Sequence, residues 1–295
     1  MKIMITGSHG QLGTELQKQL KLGRSVLGPL PSYYQNAQIY AADIDTLDVS
    51  DMEHLNQILH MWNPDVVIHC AAITNVDYCE DNQDTAISIN AQVVKDLAQI
   101  CEEISAKLVF ISTDYVFSGN INSAYLESDL CDPKNVYGLA KYMGEQYAQE
   151  YCSKTFIVRT AWLYGVHGRN FVKTILEKGR KLGKVHVVND QYGSPTNAED
   201  LAYHILKLAA TDKYGIYHCT GNGACSWYEF ACEIIEYSKT NCVVLPCTSQ
   251  EYPQKAKRPA YSVLSHGALE KAVGDEMRLW KDALHDYLDR LEEAF

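Results

Sequence analysis

Residues 1–16 read MKIMITGSHGQLGTEL. Lys2–Thr6 is a short apolar run of strand formers that breaks at once into glycines at positions 7, 10 and 13, ahead of a helical pattern over Gln11–Leu22. A strand that turns through glycines into a helix start offers backbone N–H groups to an anion, because a Cβ there would obstruct both the tight turn and a close approach. Gly7, Gly10 and Gly13, with His9, Gln11 and Leu12 between them, are therefore candidate contacts for a dinucleotide pyrophosphate. A plain strand-to-helix turn is the alternative.

Outward from this stretch, short apolar runs alternate with helical patterns. Strands are expected at Lys2–Thr6, Gln38–Ala42, 66–70, 108–112 and 156–159, and helices at Gln11–Leu22, Met52–Trp62, 84–103 and 135–151. The strands are nearly all apolar, as they are when helices cover both faces of a parallel sheet. Residues 23–36, GRSVLGPLPSYYQN, suit an irregular excursion rather than a strand. Beyond position 160 the alternation weakens, with strands expected at 185–188 and 216–218 and helices at Phe171–Leu182, Ala198–Ala209, 227–238 and 279–294. The expected architecture is an α/β doubly wound parallel sheet (1–160, dinucleotide binding) with a small C-terminal lobe over its carboxyl edge (161–295, mainly substrate binding), interleaved with late sheet strands. Open α/β sheets bind ligands at that edge.

The composition narrows the function. A net charge of −11 argues against a nucleic-acid binder, whose affinity comes from clustered Lys and Arg. No run approaches the roughly 20 apolar residues of a membrane span, and no basic segment with an apolar signal core opens the chain. The ten cysteines contain no CxxC pair, so reduced, mostly buried thiols in a cytoplasmic protein are expected.

Asp43 follows the second strand, where an acid can accept hydrogen bonds from an adenosine ribose; a solvated loop acid is the alternative. Asp48, in the phrase LDV with Val49, could reach the adenine edge. No Arg or Lys lies beside Asp43 to favour a 2′-phosphate, so NADH is expected to be at least as acceptable as NADPH. In NVYGLAKYMGEQ (135–146), Tyr137 and Lys141 stand four apart on one helical face, so the ammonium could lower the phenol's pKa. In LVFISTDYVFSG (108–119) the strand delivers Thr113 to the sheet edge. Ser112 and Thr113 point oppositely in an extended strand; Thr113 is placed in the site and Ser112 is expected as a buried hydroxyl bonded to backbone.

These motifs, with the GxxGxxG spacing, PDVVIHCAAITNVDYCE (64–80), VRTAWLYG (158–165), NFVKTIL (170–176), VVNDQYGSPTNAEDLA (187–202), GIYHCTGNG (215–223) and RPAYSVL (258–264), run through nearly the whole chain. In that order they resemble the extended short-chain dehydrogenase/reductases, most closely the dTDP-4-dehydrorhamnose reductase family. The resemblance implies a Rossmann-type fold and a catalytic set that falls on Thr113, Tyr137 and Lys141. It implies that Ala71 and Ala72 leave room for the cofactor, that Asn90 supports the lysine, and that Thr74, Asp114, Tyr115, Trp162 and Asn170 lie on the substrate side. Arg258, on an irregular segment, is a natural pyrophosphate clamp. The sequence departs from the family pattern at His69, where asparagine is common, at Ile73, where Tyr or His is usual, and at Tyr78, where lysine is usual.

The expected activity is NADPH- or NADH-dependent hydride transfer to the C4 ketone of a nucleotide-linked 4-keto-6-deoxy sugar, most closely dTDP-4-dehydrorhamnose to dTDP-rhamnose. The alternatives are a related nucleotide-sugar epimerase or dehydratase, or a non-catalytic regulatory dinucleotide-binding subunit. No metal ligand set is read from the sequence, although Glu15 and Glu199 could bridge a Mg2+ ion. The expected partner is the nucleotide sugar, with neither nucleic acid nor membrane, and a homodimer is left open.

Overall fold

Burial on both faces of the strands sets the layering of the computed structural model, which describes residues 1–293. Six strands, β1 (Lys2–Thr6), β2 (Gln38–Ala42), β3 (Val66–His69), β4 (Lys107–Thr113), β5 (Thr155–Thr160) and β6 (Gly215–His218), form one sheet in the order β2-β1-β3-β4-β5-β6. Every neighbouring pair is parallel. Side chains alternate across the sheet. Ile3, Ile5, Val66, Val109 and Phe156 pack against α1 (Gln11–Leu22) and the helix Ala198–Ala209. Met4, Val67, Leu108, Phe110 and Ile157 pack against α2 (Met52–Trp62), α3 (Val93–Glu103) and α4 (Val136–Tyr151). This is the expected Rossmann-type arrangement. Strand order reverses between β1 and β3, and a crevice forms there at the carboxyl ends.

A separate apolar cluster that includes Tyr164, Val172, Ile175, Val185, Phe230, Ile234, Trp280 and Leu284 forms the lobe. Its helices are Phe171–Leu182, Trp227–Tyr237 and Trp280–Glu293. The chain returns to the sheet between them, since Ala198–Ala209 covers one face and β6 extends the edge.

Several expectations change in detail. The helix expected at 84–103 is divided: Val76–Asp81 and Gln83–Ile87 lead into a π-helical turn at Ser88–Gln92 before α3. The excursion after Gly23 holds a minimal ladder, Arg24–Ser25 with Gly28–Pro29, and a 3-10 turn whose Tyr34 hydroxyl donates to Leu206 O at 2.6 Å. The strand Val243–Cys247, parallel to Lys184–Val188, and the helix Gly267–Val273 were not anticipated. Of the helix expected at 279–294, the last residue, Ala294, lies outside the described residues. All ten thiols are free, but only five are buried and five are half-buried.

The sheet and α4 are locked together by a buried ion pair. Glu145 on α4 accepts from Arg159 Nε at 2.8 Å and from Arg159 Nη2 at 2.7 Å, and from the Ser112 hydroxyl at 2.5 Å. The pair is 1% and 2% exposed. Ser112 is thus bonded to a carboxylate and not to backbone, because Arg159 fixes an acceptor directly beneath β4. Removing one member of such a pair strands the other charge in the interior. Glu145→Ala is expected to lower unfolding free energy by about 3–5 kcal/mol, whereas replacing Glu145 and Arg159 together by apolar residues recovers most of the loss. Denaturant unfolding of the two variants checks this.

Candidate active site

A cleft of about 900 Å³ opens at the strand ends on the β1/β3 side. Its floor is the glycine turn. Gly7 has φ +63°, and a Cβ on it would lie 2.7 Å from Ala71 N; one on Gly13 would lie 2.3 Å from Gly7 O. The turn and the β3 loop are therefore in direct backbone contact, which only glycine permits. No side chain caps α1 and no acid lies in its first turn, so its amino end suits an anion. Gly10, Gln11, Leu12, Ala71 and Ala72 line the same floor.

Asp43, just after β2, lines the cleft with Asp48 and Val49. Its carboxylate accepts from the backbone N–H of His9 at 2.7 Å and of Ile44 at 2.9 Å. Asp48 accepts from both Ser50 N, at 2.9 Å, and Ser50 Oγ, at 2.7 Å. His9 is exposed and absent from the cleft lining, its backbone N–H being spent on Asp43.

The opposite wall carries Thr113, Tyr137 and Lys141. Thr113 ends β4. Asn135 caps α4 by accepting from Gly138 N at 2.8 Å, which sets the first turn that presents Tyr137. The Tyr137 phenol lies beside Thr113 and meets Tyr115 edge-on, ring centroids 5.9 Å apart. Lys141, one turn further, is buried, with Nζ 4.1 Å from the Phe110 ring centroid.

Burial pushes the Tyr137 phenol up, offset in part by Thr113. It pulls Lys141 down to about 7, while the charges of Glu145 and Cys70 pull the other way. The expectation that Lys141 lowers the phenol is corrected here: the ammonium lies on the Phe110 face, and desolvation prevails at both groups. His69 bonds Thr6 Oγ1 through Nδ1 at 2.8 Å, and burial together with Lys141 holds it neutral, near 3.

Thr74, Asp114, Tyr115 and Trp162 line the cleft as expected of substrate-side residues. Asn90, Asn170 and Arg258 do not, and each has a structural employment. Asn90, in the π turn, accepts from Ile73 N and donates to Ile73 O, both at 2.9 Å. Asn170 caps the helix Phe171–Leu182 through Lys173 N at 3.0 Å and donates to Gln11 Oε1 at 3.1 Å and Gly165 O at 2.8 Å. Arg258 is held by Asp77 Oδ2 at 3.0 Å and Ala256 O at 3.1 Å, so a pyrophosphate would have to displace an ion pair. Glu15 and Glu199 do not fit a Mg2+ site, since Lys18 takes Glu15 at 3.2 Å and Arg290 takes Glu199. Trp227 and Arg169 are among the lining residues that were missed. Trp227 stacks on Trp162 at 3.5 Å and lies within a capping box, Ser226 to Glu229, that the sequence displays. Arg169 is exposed on the rim, in the same loop as Asn170.

With this geometry, the chain matches the RmlD substrate binding domain family over residues 1–293. The chain belongs to that family. A Bacillus subtilis relative, spore coat polysaccharide biosynthesis protein SpsK, is 40% identical over 293 residues, covering 99% of each chain. The crystal structure of a dTDP-4-dehydrorhamnose reductase from Clostridium acetobutylicum superposes with a TM-score of 0.93 at 43% identity, over 99% of this chain and 100% of that one. The Bacillus anthracis dTDP-4-dehydrorhamnose reductase, crystallised in complex with NADP, gives 0.91 at 39% identity over 98% and 99%. Among the described residues no helix is long and apolar enough to cross a membrane.

Proposed function

We propose that this chain is an NAD(P)H-dependent reductase that converts the C4 ketone of dTDP-4-dehydrorhamnose, a nucleotide-linked 4-keto-6-deoxy sugar, to the alcohol of dTDP-rhamnose. The observation that carries the reading is the meeting of Thr113, Tyr137 and Lys141 with the glycine turn in one cleft. The dTDP-4-dehydrorhamnose reductase names and the NADP of relatives support it.

The glycine turn, Ala71, Ala72 and Asp43 would hold the dinucleotide, with Arg169 adding a cation beside the amino end of α1. When bound, reduced nicotinamide supplies the hydride. The protein's share is position and proton. Thr113 and Tyr137 converge on one point where a ketone oxygen is held, and Tyr137 donates the proton to it as hydride reaches carbon. Lys141 lines the same wall and would hold the cofactor ribose. Thr74, Tyr115, Trp162 and Trp227 take the sugar and the nucleotide beyond it, whose remote binding energy offsets the ordering of the ketone.

Removing only the phenol oxygen leaves the ring and the fold in place. Tyr137→Phe is expected to lower kcat by ~10²–10⁴ with cofactor dissociation unchanged, and near wild-type turnover of the keto sugar would remove Tyr137 as the acid. On the cofactor side, the Asp43 carboxylate disfavours a 2′-phosphate, so NADH serves at least comparably to NADPH. Asp43→Ala shifts the ratio of kcat/KM values toward NADPH; steady-state kinetics with both cofactors read it, and an unmoved ratio puts the adenosine ribose elsewhere.

A further inference from the structure

The Thr113 hydroxyl hydrogen is engaged as it stands. It is donated to Asp114 Oδ1 at 3.0 Å, while Oγ1 accepts from the Tyr115 backbone N–H at 3.2 Å. A hydroxyl has one hydrogen and two lone pairs. With its hydrogen on Asp114, Thr113 has none to offer a ketone oxygen. The cause is Asp114, 2% exposed, whose Oδ2 makes no hydrogen bond; the Ser262 hydroxyl lies near the carboxyl group.

We propose, resting on the ketoreductase reading above, that Asp114 is a positioning residue that takes up a proton as the ketone binds and, as a carboxylic acid, donates to Thr113 Oγ1. Asp114 and Tyr115 N then fill both lone pairs of Thr113. The Thr113 hydrogen is released toward the ketone. The proton comes from solvent on binding and returns there with product; the proton added to the substrate is still that of Tyr137.

The surroundings favour this. Burial lifts Asp114 to about 6, against the pull of the Ser262 and Thr113 hydroxyls, so a ligand that further excludes water tips it to the acid. The other titratable groups facing it are Tyr137 from α4 and the adjoining Tyr115, with the Arg258–Asp77 pair beyond Tyr115.

The test is kcat against pH, from about pH 5 to pH 9, for the full chain saturated with reduced cofactor and the nucleotide keto sugar. Wild type should lose about tenfold per pH unit above the Asp114 step. Asp114→Asn, whose amide donates to Thr113 at every pH, should lack that step. Thr113→Val should be slower and lack it too, and Asp114→Asn added to Thr113→Val should change the profile no further. A later fall from Lys141 remains in all variants. Superimposable profiles for wild type and Asp114→Asn overturn the proposal, as does a step that persists in Thr113→Val, which decides the matter if Asp114→Asn does not fold. If wild type reduces no keto sugar, the ketoreductase reading falls and the proposal falls with it; if wild type is active and the step is not lost in the variants, only the proposal falls.

Discussion

The Glu145 carboxylate, shared by Arg159 and Ser112, is the constraint on which the site depends. It joins three consecutive pieces of the Rossmann fold: α4, which carries Tyr137 and Lys141 two turns and one turn earlier on the same face; the end of β4, where Ser112 precedes Thr113; and β5. A slip of α4 by one residue would break three hydrogen bonds around a buried charge, a cost far above that of an ordinary packing adjustment. The placement of the Thr113 and Tyr137 hydroxyls is thereby set from below, out of reach of solvent. The same carboxylate supplies the largest opposing influence on the buried Lys141 ammonium.

Above this clamp, the direction of hydrogens matters as much as the positions of heavy atoms. The Thr113 hydroxyl donates to the Asp114 carboxylate. Turning that hydrogen elsewhere requires Asp114 to stop accepting it, and a buried carboxyl group is suited to that because burial already favours its neutral form. Net charge −11 does not by itself exclude an anionic ligand, since the uncapped amino end of α1 and the exposed Arg169 of the cleft lining act locally.

Much of the fold was legible because its signals are local. Apolar runs buried on both faces give parallel strands, and the glycine turn after β1 and the Tyr137–Lys141 spacing lie within single elements. What escaped the sequence depends on residues far apart in the chain. Arg258 reads as a free cation until Asp77, 181 residues away, is found beside it. Ser112 reads as a backbone-bonded hydroxyl until Glu145 is brought beneath it by α4 packing on the sheet. Asn170 was ambiguous for another reason: the asparagine amide that binds a sugar is equally good as a helix N-cap, and here the cap prevails. Trp227 was hidden because its indole opens a lobe helix and reads as core, although it faces Trp162 across the cleft wall.

The central claim is that this cleft delivers hydride to C4 of the sugar while Tyr137 supplies the proton. It is tested most directly by following deuterium from cofactor labelled at the transferring position of the nicotinamide ring. The account predicts one deuterium at C4 of the dTDP-linked product, seen by NMR, with one oxidised cofactor formed per sugar. Unlabelled product, label at another carbon, or sugar conversion without cofactor oxidation would contradict it.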